Sequence, residues 1–189
     1  MKNGEKSYKD LFLMKIFLGR EADFENPEDI IMRCIKNAYV DMLSAGRFYI
    51  KCDMEETCVA VKKIFEEHGY KFSRQMIEKT LLLFGREEII GKDNKYATRY
   101  GLAQKLVNMC FKNFYICSEY IDEKIDFSLC DCPLDSVVLS RLSSNAVWSK
   151  LTEEKYKEIQ DKINQMLKKV TLDKELEKLG NLAFDFIVW

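Results

Sequence analysis

A lysine set inside an apolar helical stripe, Lys105, and an aspartate at a helix start, Asp135, are the two side chains here whose types could do chemistry together. An uncharged lysine amine attacks electrophilic carbon, and a fixed carboxylate beside it can accept a proton or offset positive charge developing on that carbon. Both lie between Tyr100 and Leu142, a stretch built from the Gln104-Lys105 segment, an acidic and aromatic connector, and the run Cys132-Pro133-Leu134-Asp135-Ser136. Each residue also has a plain structural reading. Lys105 would pack its stem in the core and keep its ammonium in water. Asp135 would be a first-turn acid favoured by the helix dipole. The functional reading asks for more: a partly desolvated Lys105 with a lowered pKa, and an Asp135 that converges on it.

The elements that must position this pair read as helices. Asn26-Pro27-Glu28-Asp29 is a helix start, with Asn26 as cap, Pro27 at the first position and two acids at the positive dipole end. Its stripe of Ile30, Ile31, Cys34, Ile35, Ala38 and Met42 runs to about Ala45, where Gly46 stops it. Before it, Leu11 to Leu18 reads as a core-packing arm. Asp53 opens a second helix with Val59, Val61, Ile64 and Phe65 inward, closed by His68-Gly69. Ser73 caps a third, with Met76, Ile77, Leu81, Leu82 and Phe84 inward. The longest and most apolar helix spans about 97–120 and carries Leu102, Leu106, Met109, Cys110, Phe111, Phe114 and Ile116 around Lys105. Thr152 starts a helix lined by Tyr156, Ile159, Ile163 and Leu167, and Asp173 another with Leu176, Leu179, Leu182 and Phe186. Trp148 reads as packing beside the Asp135 helix.

Composition narrows the class. A chain of 189 residues with 47% apolar content, two prolines and eight glycines reads as one compact, helix-rich unit, residues 1–189, with the candidate active-site half at 91–189. Thirty basic against thirty-one acidic side chains give a formal charge of -1, so no global field draws the protein to nucleic acid or to a membrane. Any polyanion site must be local. Between Lys92 and Lys112 five basic residues meet one acid. There Lys92, Lys95 and Arg99 belong either to a solvated loop or to a hairpin that holds a phosphate backbone. Seven cysteines, an odd number without a secretory leader, point to reduced thiols and a cytoplasmic location. His68 is the only histidine, and at a helix end it reads as a cap. Cys130 and Cys132 lack a second pair, so no metal is expected.

Five segments in order, Gln104-Lys105-Leu106-Val107, Phe114-Tyr115-Ile116-Cys117, Cys132-Pro133-Leu134-Asp135 with Val138 and Arg141, Tyr156-Lys157-Glu158-Ile159-Gln160, and Phe184-Asp185-Phe186-Ile187-Val188-Trp189, carry a resemblance. They resemble the archaeal-type 8-oxoguanine DNA glycosylases, a branch of the helix-hairpin-helix glycosylase superfamily, over the half from Gly91 to Trp189. The resemblance implies an all-α, compact helix-hairpin-helix DNA glycosylase-like fold. It implies a DNA glycosylase with associated AP-lyase activity, with Lys105 as nucleophile and Asp135 as catalytic aspartate. Asp185 matches a carboxylate that contacts the extruded base, and Trp189 an aromatic that stacks on it. Met109 stands where the family has an aromatic one turn after the lysine, and residues 95–101 lack the family's paired hairpin glycines.

The implied partner is DNA containing a damaged or modified base, met by a monomer and without a membrane or a cofactor. 8-oxoguanine is the implied base, and the Met109 departure leaves a hypermodified base in foreign DNA, as in phage defence, as another. Two other readings stand beside this one. A non-catalytic helical module that binds nucleic acid or protein would not need the Lys105 amine, and a purely structural bundle would not bring Lys105 and Asp135 to one cleft.

Overall fold

The structure, a computed structural model, describes residues 8–46, 53–84, 89–90 and 96–188. The chain is all-helical in class. Among the described residues eight α-helices run in the order α1 Tyr8–Leu18, α2 Pro27–Gly46, α3 Met54–Glu67, α4 Arg74–Leu83, α5 Arg99–Ile116, α6 Ser136–Arg141, α7 Glu153–Leu167 and α8 Leu182–Val188. Between α4 and α5 sits a short antiparallel hairpin of β1 Ile89–Ile90 and β2 Tyr96–Ala97, in which Ile89 pairs with Ala97 and Ile90 with Tyr96.

Local capping chemistry sets most of the helix starts. Asn26 Oδ1 accepts from the amides of Glu28 and Asp29, Asp53 from Glu56, Ser73 from Gln75 and Thr152 from Lys155. His68 caps the end of α3, its Nδ1 2.8 Å from the Ile64 carbonyl oxygen.

α5 is the axis of the molecule, flanked by α2 and α4, with α3 packed on both of those. Phe111 and Phe114 of α5 meet Phe65 of α3 at ring separations of 5.0 and 5.2 Å, in tilted and edge-on contacts. Because α5 is buried nearly all round, its polar side chains must be satisfied inside. Asn113 donates to the Cys34 carbonyl at 2.9 Å and Asn108 to the Tyr156 hydroxyl at 2.9 Å. The six described cysteines are buried and free, so the core holds thiols as small apolar groups.

Several sequence expectations shift. α1 is a helix that buries only Leu18. Leu11, Met14 and Phe17 lean on the core, while Phe12, Leu13 and Ile16 face outward. Val59 and Leu82, expected inward, are exposed, because at about 100° per residue each points to the face of its helix opposite the buried stripe. α5 starts at Arg99 and ends at Ile116, followed by a 3₁₀ turn Ser118–Tyr120. The expected helix from Asp173 is broken into a 3₁₀ turn, Leu176–Leu179, and α8. Gly180 lies at the break with φ +56°, and a Cβ there would stand 2.6 Å from the Ser128 carbonyl oxygen.

Candidate active site

Lys105 lies six residues past the start of α5, on the side that faces α2. Only 2% of it is exposed. Its Nζ stands 3.0 Å from Asp41 Oδ2 and 3.5 Å from the Asp41 carbonyl oxygen, and 4.8 Å from the centre of the Trp148 ring. An ammonium over an indole face is attracted by the ring quadrupole. The nitrogen is therefore held between a carboxylate and an aromatic plane. It opens on a cavity of about 310 Å³ lined by Asp41, Lys105, Met109, Lys112, Asp135, Ser136, Val137 and Trp148. Lys105 and Asp135, 30 residues apart in the chain, thus share one cleft.

Asp135 reaches that cleft because its approach is fixed on both sides. It is the N-cap of α6 and not a first-turn residue, with Oδ1 accepting from the amides of Val137 at 2.8 Å and Val138 at 2.9 Å. The extended segment before it is clasped by two buried glutamines. Gln104, the neighbour of Lys105, bonds both the amide and the carbonyl of Leu134. Gln160 of α7 does the same for Cys132, accepting from its amide at 3.0 Å and donating to its carbonyl at 2.6 Å. Side chains that satisfy both groups of one residue replace a strand partner and leave the segment a single position. The Gln104-Lys105 pair therefore divides its work. Gln104 holds the strand that carries Asp135, and Lys105 faces what Asp135 faces.

Trp148 is set by the start of α5. Thr98 caps that helix through Gly101 and also bonds the next segment, its amide donating to Ser149 O at 2.6 Å and its hydroxyl to Leu151 O at 2.6 Å. Gly101 allows the approach, since a Cβ there would lie 2.6 Å from Trp148 O. The 3₁₀ turn Trp148–Lys150 is thereby pressed onto α5, one turn from Lys105.

Met109 lines the cavity as the resemblance placed it. Asp185 sits one layer behind. It is 1% exposed and paired with Lys112 at 2.6 Å, and Lys112 rather than Asp185 reaches the cavity wall. Arg99 is the first residue of α5. Lys92, Lys95 and Trp189 lie outside the described residues.

Three residues at the site escaped the sequence reading. Asp41 carried a signal: it falls three residues after Ala38 and seven after Cys34, on the inward stripe of α2, where an acid needs a reason. Trp148 was read as packing, and its partner Lys105 lies 43 residues away, beyond any local pattern. Lys112 lies seven residues after Lys105, two turns along the same face.

Other nucleophiles near the site are silent. Burial pushes the Cys110 and Cys132 thiols well up, so neither offers a thiolate. Lys112 is tied to a carboxylate buried in the core, whereas the carboxylate beside Lys105 is 47% exposed. The Lys105 ammonium thus has a half-exposed carboxylate as its partner, and the Lys112 ammonium a buried one. Among the described residues no three histidine, cysteine or acidic side chains gather as a metal would need, and no helix is long and apolar enough to cross a membrane. Comparison with known protein families, with curated proteins and with solved structures finds no match to this chain.

Proposed function

We propose that the chain is a DNA glycosylase with associated AP-lyase activity, of helix-hairpin-helix type, acting as a cytoplasmic monomer on DNA that contains a damaged or modified base. One observation carries the reading: the Lys105 amine is buried between Asp41 and Trp148 and opens on a cavity that Asp135 shares. The order α4, hairpin, α5 supports the fold assignment, and so does the position of Lys105 two turns into the helix that follows the hairpin.

The chemistry needs no metal or organic cofactor. A base in duplex DNA must leave the stack before its sugar can be reached, and the cavity beside Trp148 and Met109 offers apolar surface to receive it. The Lys105 lone pair forms a bond to C1′ as the C1′–N bond breaks, and the electron pair leaves with the base, which takes up a proton. The sugar ring then opens as C1′–O4′ breaks, O4′ gains a proton, and a C1′–Nζ iminium remains. Loss of a C2′ proton expels the 3′ phosphate by cleavage of C3′–O. Asp135, its Oδ1 anchored by two amides, offsets the positive charge that develops on the sugar. 8-oxoguanine is the base implied by the resemblance, and Met109 in place of an aromatic admits a hypermodified base of foreign DNA.

A second reading, a helical nucleic-acid- or protein-binding module, is favoured by one feature: the Lys105–Asp41 pair also satisfies a purely structural lysine. Borohydride trapping on duplexes carrying an abasic site, 8-oxoguanine or modified cytosines separates the two. The glycosylase forms a covalent adduct that Lys105→Gln abolishes. The module forms none, and its binding tolerates the substitution.

A further inference from the structure

We infer that Asp41 is the proton acceptor that makes Lys105 a nucleophile, and that Asp135 has the separate task of stabilising charge on the sugar. The assignment rests on the glycosylase reading and divides between two carboxylates what one was expected to do. A lysine reacts only after its ammonium loses a proton. The charged and titratable groups that line the cavity with Lys105 are Asp41 from α2, Lys112 from α5 itself and Asp135 at the start of α6. Lys112 has protons to give and no lone pair to accept with while charged. Asp135 has Oδ1 committed to the amides of Val137 and Val138, which suits a fixed anion. Asp41 Oδ2 is 3.0 Å from Nζ, within direct proton-transfer reach.

Exposure makes the same division. Lys105 is 2% exposed, whereas the Asp41 side chain beside it is 47% exposed. The carboxylate thus takes the proton of a buried amine and holds it at the mouth of the cleft, within reach of a leaving group. Asp41 takes a proton from the Nζ ammonium and becomes a carboxylic acid, and the freed lone pair bonds to C1′. At an abasic aldehyde the carbonyl oxygen takes a second proton from the attacking nitrogen and becomes a hydroxyl, which takes the proton held on Asp41 and leaves as water. An iminium and the original carboxylate remain. At an intact nucleotide the same proton goes to the departing base. Trp148 helps keep the nitrogen in place, since its ring lies 4.8 Å from Nζ.

Single-turnover strand cleavage of a duplex with one abasic site tests this, because the probe does not depend on knowing the base. Rates are read from about pH 6 to about pH 9 for the native chain, Asp41→Asn, Asp41→Glu and Asp135→Asn, with Lys105→Gln as background and circular dichroism as the check on folding. Asp41→Asn should slow cleavage about 100-fold near pH 7, the scale of a lost general base, and recover as hydroxide takes over at higher pH. Asp41→Glu should keep most of the native rate. Asp135→Asn should slow cleavage by one factor across the range. Native rates in Asp41→Asn at every pH, or a loss independent of pH, would overturn the assignment. No cleavage by the native chain would remove the glycosylase reading itself, and this inference with it.

Discussion

Gln104 and Leu134 are bonded twice, the glutamine Nε2 donating to the Leu134 carbonyl at 3.0 Å and its Oε1 accepting from the Leu134 amide at 3.2 Å. This clasp ties α5, which carries Lys105, to the segment that delivers Asp135, and both of its ends are buried. Gln104→Ala would leave an amide and a carbonyl unsatisfied, at about 1–3 kcal/mol for each buried group. Denaturant unfolding should show a loss of about 3 kcal/mol. Abasic-strand cleavage should fall even where the variant is fully folded, because Asp135 loses its fixed approach.

Gly101 makes room for the Trp148 backbone. A methyl group there would meet Trp148 O at 2.6 Å and the Ser149 carbonyl carbon at 3.0 Å, and both are backbone atoms that cannot swing aside. Overpacking of this kind costs about 1–3 kcal/mol. For a chain of this length that corresponds to a fall of about 2–12 °C in the melting temperature of Gly101→Ala. Calorimetry measures it.

Asp131 anchors a buried network away from the cavity. It accepts from Arg74 at 3.0 Å and from the Tyr156 hydroxyl at 3.0 Å, with Asn181 at 3.4 Å. Burial raises its pKa above the usual carboxylate value, and the Arg74 guanidinium only partly opposes this. A carboxyl with a raised folded value contributes stability in full below the unfolded pKa of about 3.9 and loses it as pH climbs through the folded value. The stability of the native chain relative to Asp131→Asn should therefore decline as pH rises above about 4. Urea midpoints of the two proteins, compared pH by pH, give the sign.

Arg74 is the cation that keeps that carboxylate inside. Breaking a buried pair on one side costs about 3–5 kcal/mol, and Arg74 is 38% exposed, so Arg74→Ala should lose less, about 2 kcal/mol. Unfolding in urea checks the magnitude. Double substitution with Asp131→Asn should lose less than the sum, because the stranded charge is gone.

Much of the fold was legible because its signals are local. Asn26, Asp53, Ser73 and Thr152 cap helices by bonding amides two or three residues away, and that information lies within one turn. The Lys105 stripe was readable from its period. What local pattern did not carry is which long-range partner covers each face. Val59 and Leu82 are apolar yet exposed, since they fall off the helical period of the buried residues beside them and apolar character alone did not decide their face. Asp41 lies 64 residues before Lys105, and Trp148 entered the site through the Thr98–Leu151 clasp, 53 residues apart. The connector expected as a solvated loop or a phosphate-holding hairpin between Gly91 and Gly101 falls partly outside the described residues, and on either side of it Ile89–Ile90 and Tyr96–Ala97 pair as short antiparallel strands.

The most direct measurement is to trap the protein on an abasic-site duplex with borohydride, digest it, and locate the reduced sugar adduct by mass spectrometry. Among the described residues two lysines line the cavity, Lys105 and Lys112, and they differ in their partners. Lys112 is paired with the Asp185 carboxylate buried in the core, whereas the Asp41 carboxylate beside Lys105 meets solvent. The adduct should sit on Lys105 alone. An adduct on Lys112 or on any other amine, or no adduct at all, would contradict the assignment of Lys105 as the nucleophile.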